Sequence, residues 1–521
     1  MSSFAFILRR HRRAFGVVLL LSLVFNAGTA VLTPLFLQNI FDRGIAAKDM
    51  PRFVAMMVSF ILIATAWRLL NLAQNLKTQA LKQTVLRDLT VEMTRKYYRL
   101  PFEAAGAFPP AYWASRIYDE SLAASTATID LALEISAGIA VFAAASAFLI
   151  RLSPRATALL AVCAPFLILL ANRYGSAIKR HAAEEKEEEG RLRGFLTRSV
   201  QAYRSVNLFG LAPGVSSALS ERLSAFTRIS YERVRSSGRH NTAASVIMSY
   251  VEMLVIIACG FEMMHGRMSM GGFMAFMSAF WAAVGSLRAL VQKLPEFAKN
   301  DALVRRVRDY LSAAEARAPV DTGATESSLE NASFGYGEKA VLSGVDLRIG
   351  KTDKVLLSGR NGSGKSTIAN LLSTFLVPQT GEARTLGIGR ISACLAPHHF
   401  IPGTIGDNLN FDGLTAPQKG YLAELMREFG LEGSLHRDPE ELSTGQRKKA
   451  ELIMGLMKDA DLYIFDEPLA NIDAESKGVI LRRIFERTEG KALVVVMHGD
   501  DDLKTRFGRV VELSPAAAVP R

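Results

Sequence analysis

Residues 354–372 read KVLLSGRNGSGKSTIANLL, an apolar segment followed by a glycine-rich loop and the start of a helical pattern. The loop from Gly359 to Ser366 fits Gly-x-x-x-x-Gly-Lys-Ser, in which glycines let backbone N–H groups close around phosphate groups. The N-terminus of the following helix adds a positive dipole end. Because the loop lies between a strand pattern and a helix pattern, the sequence predicts a phosphate-binding loop in an α/β domain.

The loop supplies most of the predicted nucleotide-binding residues. They are Gly359, Arg360, Asn361, Gly362, Ser363, Gly364, Lys365, Ser366 and Thr367. Lys365 is expected to reach the β- and γ-phosphates of a bound nucleotide, and Ser366 is expected to ligate Mg²⁺.

A second motif, DLYIFDEPLANID, begins about a hundred residues after the loop. Its apolar part predicts a buried strand that ends at Asp466, which is expected to bind the Mg²⁺ shell. The adjacent Glu467 can orient or deprotonate an attacking water. A further strand pattern, ALVVVM, leads to His498, which is well placed to contact the γ-phosphate.

Between these motifs, residues 441–457 read ELSTGQRKKAELIMGLM and predict an amphipathic helix. The N-terminus of that helix is an anion site that points outwards. Taken alone, Ser-Thr-Gly-Gln is typical of an ordinary helix cap.

The apolar residues are concentrated in the first 300 residues, in runs of about the 20 residues that a membrane span needs. Six spans are predicted, at about 14–41, 53–76, 129–150, 156–172, 243–263 and 268–297. Residues 312–328 are small and polar and predict a linker. The expected organisation is therefore a helical membrane domain over 1–311, a linker over 312–328, and an α/β P-loop domain over 329–521.

Charge sets the expected orientation. Lys and Arg number four before the first span, seven over 77–127 and thirteen over 173–240, against six in the opposite loops. The positive-inside rule therefore places both termini and both long loops in the cytoplasm, and the chain in the cytoplasmic (inner) membrane. This asymmetry accounts for the net charge of +12, and no nucleic-acid partner is expected because no basic-aromatic recognition pattern is present.

The ordered set GRNGSGKST, LSTGQ, LYIFDE, ANID and VMHGD resembles the ATP-binding cassette (ABC) transporter family. With six upstream spans, nearly the whole chain resembles an ABC exporter half-transporter of the type IV fold. The resemblance implies ATP and Mg²⁺ as cofactors, ATP hydrolysis coupled to transport, and two copies paired head to tail. Both catalytic residues, Glu467 and His498, are present, so a homodimer with two competent sites is expected.

The resemblance also implies roles for further residues. Ser443, Gly445 and Gln446 would contact the ATP bound by the partner copy, Asp473 would line the dimer seam, and Tyr336 would stack on adenine, although Tyr336 also fits an ordinary strand aromatic. The bends at 103–115 and 200–210 match the short coupling helices that dock on the ATPase domains.

A narrower resemblance connects LSTGQRKK and ISACLAPHHFIPGT to exporters of cyclic peptides and siderophore peptides. The chain departs from that subgroup at Pro468, where a tryptophan is usual. It departs from the wider family at Ala396, which occupies the position of a glutamine that contacts Mg²⁺ and water. The neighbouring His398 and His399 are not expected to form a metal site, because no further ligands follow at useful spacing.

The cargo is the most open question. Polar groups inside spans are costly and often functional, and the candidates for a substrate cavity are Asn26, Arg68, Glu134, Glu252 and Arg288. The alternative interpretation is that the two glutamates pair with the arginines or lie near the membrane interface. The expected function is ATP-driven export of a peptide, with modified and cyclic peptides included, and with no leader cleavage. The alternatives are an exporter or flippase of lipids or drug-like amphipaths, and an ATP-switched membrane sensor or channel.

Overall fold

The computed structural model describes residues 3–158, 184–315, 326–336, 339–386, 390–396, 399–497 and 504–513. The chain forms two compact units. The helical unit comprises Met1–Val91 and Ser115–Tyr310, and the α/β unit comprises Glu92–Ala114 and Leu311–Arg521.

Long helices make up the first part of the chain. The described helices are α1 (Ser3–Leu8), α2 (Arg12–Asn39), α3 (Met50–Tyr97), α4 (Phe102–Gly106), α5 (Pro110–Leu152), α6 (Tyr203–Leu208), α7 (Ala212–Met264) and α8 (Met270–Ser312). Residues 184–201 are also helical. The short helices α4 and α6 lie in the two bends that the sequence singled out.

Within the described residues, five helical stretches are long and apolar enough to cross a membrane. They are Phe6–Ile45, Met50–Tyr97, Pro110–Leu152, Ser245–Met264 and Met270–Ser312. Five of the six predicted spans lie largely within these stretches. The predicted span at 156–172 falls almost entirely outside the described residues.

Helices α5 and α8 run antiparallel along much of their length, as a series of polar contacts shows. Arg306 pairs with Glu120 at 3.6 Å, and Lys293 pairs with Glu134 at 2.7 Å. Between these pairs, the buried Asn300 donates a hydrogen bond to the Thr128 hydroxyl at 3.2 Å. The contacting residues rise in number along one helix and fall along the other. These three contacts fix the register of α5 against α8 at three positions along their length.

The α/β unit contains a three-stranded and a five-stranded sheet. The strands are β1 (Ser327–Tyr336), β2 (Lys339–Ile349), β3 (Lys354–Gly359), β4 (Thr380–Arg384), β5 (Ile391–Cys394), β6 (Leu462–Asp466), β7 (Ala492–Val496) and β8 (Arg509–Leu513). The smaller sheet is antiparallel, in the order β2-β1-β4. The larger is parallel, in the order β5-β6-β7-β3-β8.

The helices of the α/β unit cover these sheets. They are α9 (Lys365–Leu372), α10 (Ile405–Asn408), α11 (Ala416–Glu428), α12 (Thr444–Met457) and α13 (Ala474–Arg487). Every residue of β6 and β7 is buried. One apolar cluster joins the two sheets around Val355 and Ile368, and a second packs α11, α12 and α13 against Phe465. Burial on both faces is typical of a parallel sheet and explains the continuous apolar runs in the sequence.

The end of α3 and the helix α4 belong to the α/β unit. The Phe102 and Phe375 rings lie 5.5 Å apart between centroids. The Lys96 ammonium, which is almost fully buried, donates to the Ala313 carbonyl and pairs with Glu315 at 3.2 Å. These contacts anchor α4 and the segment after α8 on the same unit.

Candidate functional site

The glycine-rich loop leaves β3 and leads directly into α9. Gly359, Gly362 and Gly364 have φ angles of 149°, 82° and 92°, a backbone region that favours glycine. A Cβ on Gly359 would also overlap the Leu513 carbonyl oxygen, and a Cβ on Gly364 would overlap the Leu342 side chain. The loop conformation therefore requires glycine at these positions.

The polar groups of the loop suit a phosphate ligand. Lys365 is buried, and its ammonium donates to the carbonyls of Gly359 at 2.7 Å and Arg360 at 3.0 Å. The Ser363 hydroxyl is buried and has no hydrogen-bond partner in the part of the chain that the structure describes. An unsatisfied buried hydroxyl is unfavourable, and an anionic oxygen within the loop would relieve it.

The predicted carboxylates lie at the same edge of the large sheet as the loop. In the parallel ladders, Asp466 is paired with Val496, and Val496 is paired with Leu357, two residues before β3 ends at Gly359. With strands about 4.8 Å apart, Asp466 is roughly 10 Å across the sheet from β3. Asp466 is 3% exposed, and Glu467 follows it with φ 48°. Both carboxylates therefore leave the strand beside the loop, at the edge where parallel sheets bind ligands.

Two oxygen donors fit Mg²⁺. The Ser366 hydroxyl is on the exposed side of α9, and the Asp466 carboxylate ends β6. Mg²⁺ binds oxygen ligands and commonly uses one or two carboxylates together with substrate phosphates and water. Within the described ranges, no group of three or more His, Cys, Asp and Glu side chains could hold a metal by itself. The donor set therefore fits a metal that is shared with a nucleotide.

The Ser-Thr-Gly-Gln segment forms the N-terminus of α12. The Ser443 hydroxyl accepts from the Gln446 N–H at 3.2 Å, and the Gln446 side-chain oxygen accepts from the Ser443 N–H at 3.0 Å. This reciprocal capping box satisfies two N–H groups and orients the Gln446 side chain back along the helix. A Cβ on Gly445 would lie 2.8 Å from the Asn471 carbonyl oxygen, so glycine permits close packing there.

Asp473 connects α12 with α13. Its carboxylate accepts from the Ser476 N–H at 2.8 Å and from the Lys449 ammonium at 2.8 Å. The hydrogen bond from Lys449, with those from Ser476, holds the pKa of Asp473 well below its usual range. The aspartate thus remains ionised and caps α13 while it contacts α12.

Tyr336 ends β1 and is 52% exposed. Its ring and the Phe334 ring are nearly perpendicular, with centroids 5.1 Å apart. This position suits stacking on a planar base.

The segment after β5 is described only in part. Ala396 and His399 are exposed, while His398 lies outside the described residues. His498, the second predicted catalytic residue, also lies outside them. Burial raises the pKa of the neighbouring Cys394 thiol, which disfavours the thiolate that a metal would need.

The five candidate cavity residues do not form a cluster of ion pairs. No salt bridge within the described ranges joins any two of Asn26, Arg68, Glu134, Glu252 and Arg288. Glu134 pairs instead with Lys293, and the Asn26 amide donates to the Ser22 carbonyl of its own helix at 2.8 Å. Arg68 and Arg288 are exposed, and Glu252 is half-buried.

Sequence reasoning missed two lysines. Lys293 neutralises Glu134, and the antiparallel register of α5 and α8 was needed to find it. Lys448 is buried and donates to the Asp466 carbonyl at 3.1 Å. Its signal in the sequence was a basic residue on the apolar face of the predicted helix.

Family models agree with this architecture. The ABC transporter transmembrane region matches residues 17–287, and the ABC transporter model matches residues 342–470. The chain belongs to the ABC transporter family. A transmembrane region and an ATPase domain on one chain make it an ABC exporter half-transporter, which confirms the fold class predicted from the motifs.

Individual relatives have low sequence identity to this chain, but their alignments cover most of its length. The leukotoxin translocation ATP-binding protein LktB of Bibersteinia trehalosi is 21% identical over 94% of this chain and 73% of its own length. The alpha-hemolysin translocation ATP-binding protein HlyB of Escherichia coli O157:H7 is 20% identical over the same shares. An ATP-dependent lipid A-core flippase of Neisseria meningitidis is 22% identical over 64% of this chain and 58% of its own.

A solved structure shows the same fold. A bacterial Atm1-family ABC exporter with ATP bound superposes with a TM-score of 0.79 at 15% identity, over 97% of this chain and 94% of the other. The half-transporter fold implies a dimer in a membrane.

Replacing Tyr336 tests the adenine contact. We expect Tyr336→Leu to weaken ATP binding about fivefold, because stacking of a base on an aromatic ring contributes about 1 kcal/mol. Tyr336→Phe keeps the ring and should bind ATP like the wild type. Calorimetric titration of ATP without Mg²⁺ measures both, and equal affinity of the Leu variant and the wild type would remove Tyr336 from the site.

Proposed function

We propose that the chain forms a homodimer in the cytoplasmic membrane and exports a peptide by ATP-driven alternating access, with modified and cyclic peptides included in the cargo class. Both termini and both ATPase domains face the cytoplasm. The observation that carries the proposal is the position of Glu467. It follows the buried Asp466 at the sheet edge that also holds the phosphate loop. An ATP switch without turnover would not need this second carboxylate.

Each predicted residue has a role in this cycle. The loop N–H groups and Lys365 bind the phosphates. Ser366 and Asp466 would hold Mg²⁺, which would neutralise charge on the transferred phosphoryl group. Glu467 orients the attacking water and accepts its proton. His498 contacts the γ-phosphate, and Tyr336 stacks on adenine.

The partner copy completes each site. Ser443, Gly445 and the N-terminus of α12 meet the γ-phosphate held by the other chain, where the positive end of the helix favours an anion. Gln446 supports this contact through its capping box with Ser443. ATP therefore draws the two ATPase domains together, and hydrolysis separates them.

Peptide cargo is favoured over other cargoes by three observations. LktB and HlyB are described as translocation proteins for leukotoxin and alpha-hemolysin, and LSTGQRKK resembles peptide exporters. The pairing of Glu134 with Lys293 removes one of the two carboxylates that a cationic cargo would use. The similarity to a lipid A-core flippase keeps an amphipathic lipid as the second candidate.

Replacing Glu467 tests its proposed role as the general base in ATP hydrolysis. Glu467→Gln should lower ATP turnover at least about a hundredfold, because it keeps the shape of the side chain but cannot accept a proton. ATP binding should remain. Steady-state ATPase assays and ATP titration measure the two properties, and turnover at the wild-type rate would exclude Glu467 as the base.

The cargo is tested by ATPase stimulation in lipid nanodiscs with separate panels of peptides, lipids and cationic drugs. We expect peptides to stimulate turnover above the basal rate. Glu467→Gln nanodiscs control for contaminating ATPases. Stimulation by lipids alone would contradict peptide cargo and support the flippase alternative.

A further inference from the structure

The peptide unit between Asp466 and Glu467 is held on both sides. Its C=O group, on Asp466, accepts a hydrogen bond from the Lys448 ammonium at 3.1 Å. Its N–H group, on Glu467, donates to the Val496 carbonyl at 2.9 Å. With both polar groups engaged, the plane of the peptide is fixed, and so is the direction in which the chain leaves β6.

That direction is one that the backbone would not adopt readily by itself. Glu467 has φ 48°, in the left-handed region that side-chain-bearing residues seldom occupy. Such conformations persist where the surrounding structure holds them, and they concentrate at active sites. Two hydrogen bonds hold this conformation: one from the Lys448 ammonium to the Asp466 carbonyl, and one from the Glu467 N–H to the Val496 carbonyl.

Lys448 is an unusual residue to find at this position. Its side chain is 9% exposed and lies on the buried face of α12, 3.4 Å from the carboxylate of Glu451, whose side chain is 12% exposed. A buried ion pair is a weak source of stability, because desolvation offsets the attraction between the charges. Stability of the fold alone therefore gives little reason for a lysine here, whereas its bond to the Asp466 carbonyl acts directly on the candidate active site.

We propose that Lys448 is a positioning residue for ATP hydrolysis, which fixes the Asp466–Glu467 peptide so that the Glu467 carboxylate faces the attacking water. The proposal rests on the role of Glu467 proposed above. Lys448 follows Ser443 by five residues on the same helix, or about 8 Å along its axis. The N-terminus of α12 therefore contacts the ATP held by the partner copy, while Lys448 on the same helix positions the Glu467 base of its own chain. One helix thus serves both ATP sites of the dimer.

The test removes the Lys448 bond without leaving an unpaired buried charge. Lys448→Met/Glu451→Gln should lower kcat for ATP at least about tenfold, because a displaced catalytic group can cost up to about a hundredfold. The KM for ATP, the Kd for ATP and the thermal midpoint should stay at wild-type values. Lys448→Arg keeps a cationic donor and should restore most of kcat.

Two controls accompany these variants. Glu451→Gln alone keeps the bond from Lys448 to Asp466 and should hydrolyse ATP like the wild type. Lys351→Met makes the same change at an exposed lysine on the turn between β2 and β3 and should be silent. In a Glu467→Gln background, the double substitution should cause no further loss, since no base remains to be positioned.

The outcomes separate this inference from the proposed function. Wild-type kcat in Lys448→Met/Glu451→Gln, with Glu467→Gln inactive, overturns the role of Lys448 alone. If kcat, ATP affinity and the thermal midpoint all fall together, Lys448 stabilises the fold in general, and this result also overturns its role as a positioning residue. Full activity of Glu467→Gln overturns the base and the positioning residue together.

Discussion

The proposed hydrolysis of ATP depends on how the peptide between Asp466 and Glu467 is held. The bonds from Lys448 and to Val496 join three elements at one point: α12, the end of β6 and the end of β7. Because β7 lies between β6 and β3, the same ladder that places Glu467 also sets its distance from the phosphate loop. A shift of any one strand would therefore separate the proposed base from the nucleotide.

Much of this arrangement could be predicted from the sequence, because it is local. The glycines of 359–364 have backbone angles that glycine favours, and the apolar run before Asp466 is a strand buried on both faces. The order of the motifs along the chain then gave the resemblance to the family, and parallel strands bring the carboxyl ends that carry these motifs to one edge of the sheet. The predicted spans rest on the length of apolar runs, and five of them lie largely within helical stretches that are long and apolar enough to cross a membrane.

The remaining features depend on packing between distant segments. Neither Glu134 nor Lys293 indicates its partner, which follows only from the register of α5 against α8. In the sequence, Lys448 is one residue of a basic run. Only the packing of α12 on the sheet shows that its side chain is buried. The grouping of Glu92–Ala114 with the α/β unit includes contacts such as Phe102 with Phe375. The family resemblance implied that the bend at 103–115 docks on the ATPase domain, but nothing in the sequence indicates Phe375 as the contacting ring.

Amide hydrogen exchange at Glu467 measures whether Lys448 holds this peptide in place, because exchange reports how often a local hydrogen bond opens. The nucleotide-free wild type is compared with Lys448→Met/Glu451→Gln, and the segment from β3 serves as the internal reference. The account predicts exchange at the Glu467 amide at least about tenfold faster in the variant, with β3 unchanged. Equal exchange at Glu467 in the two proteins would show that Lys448 does not hold this peptide and would contradict the account.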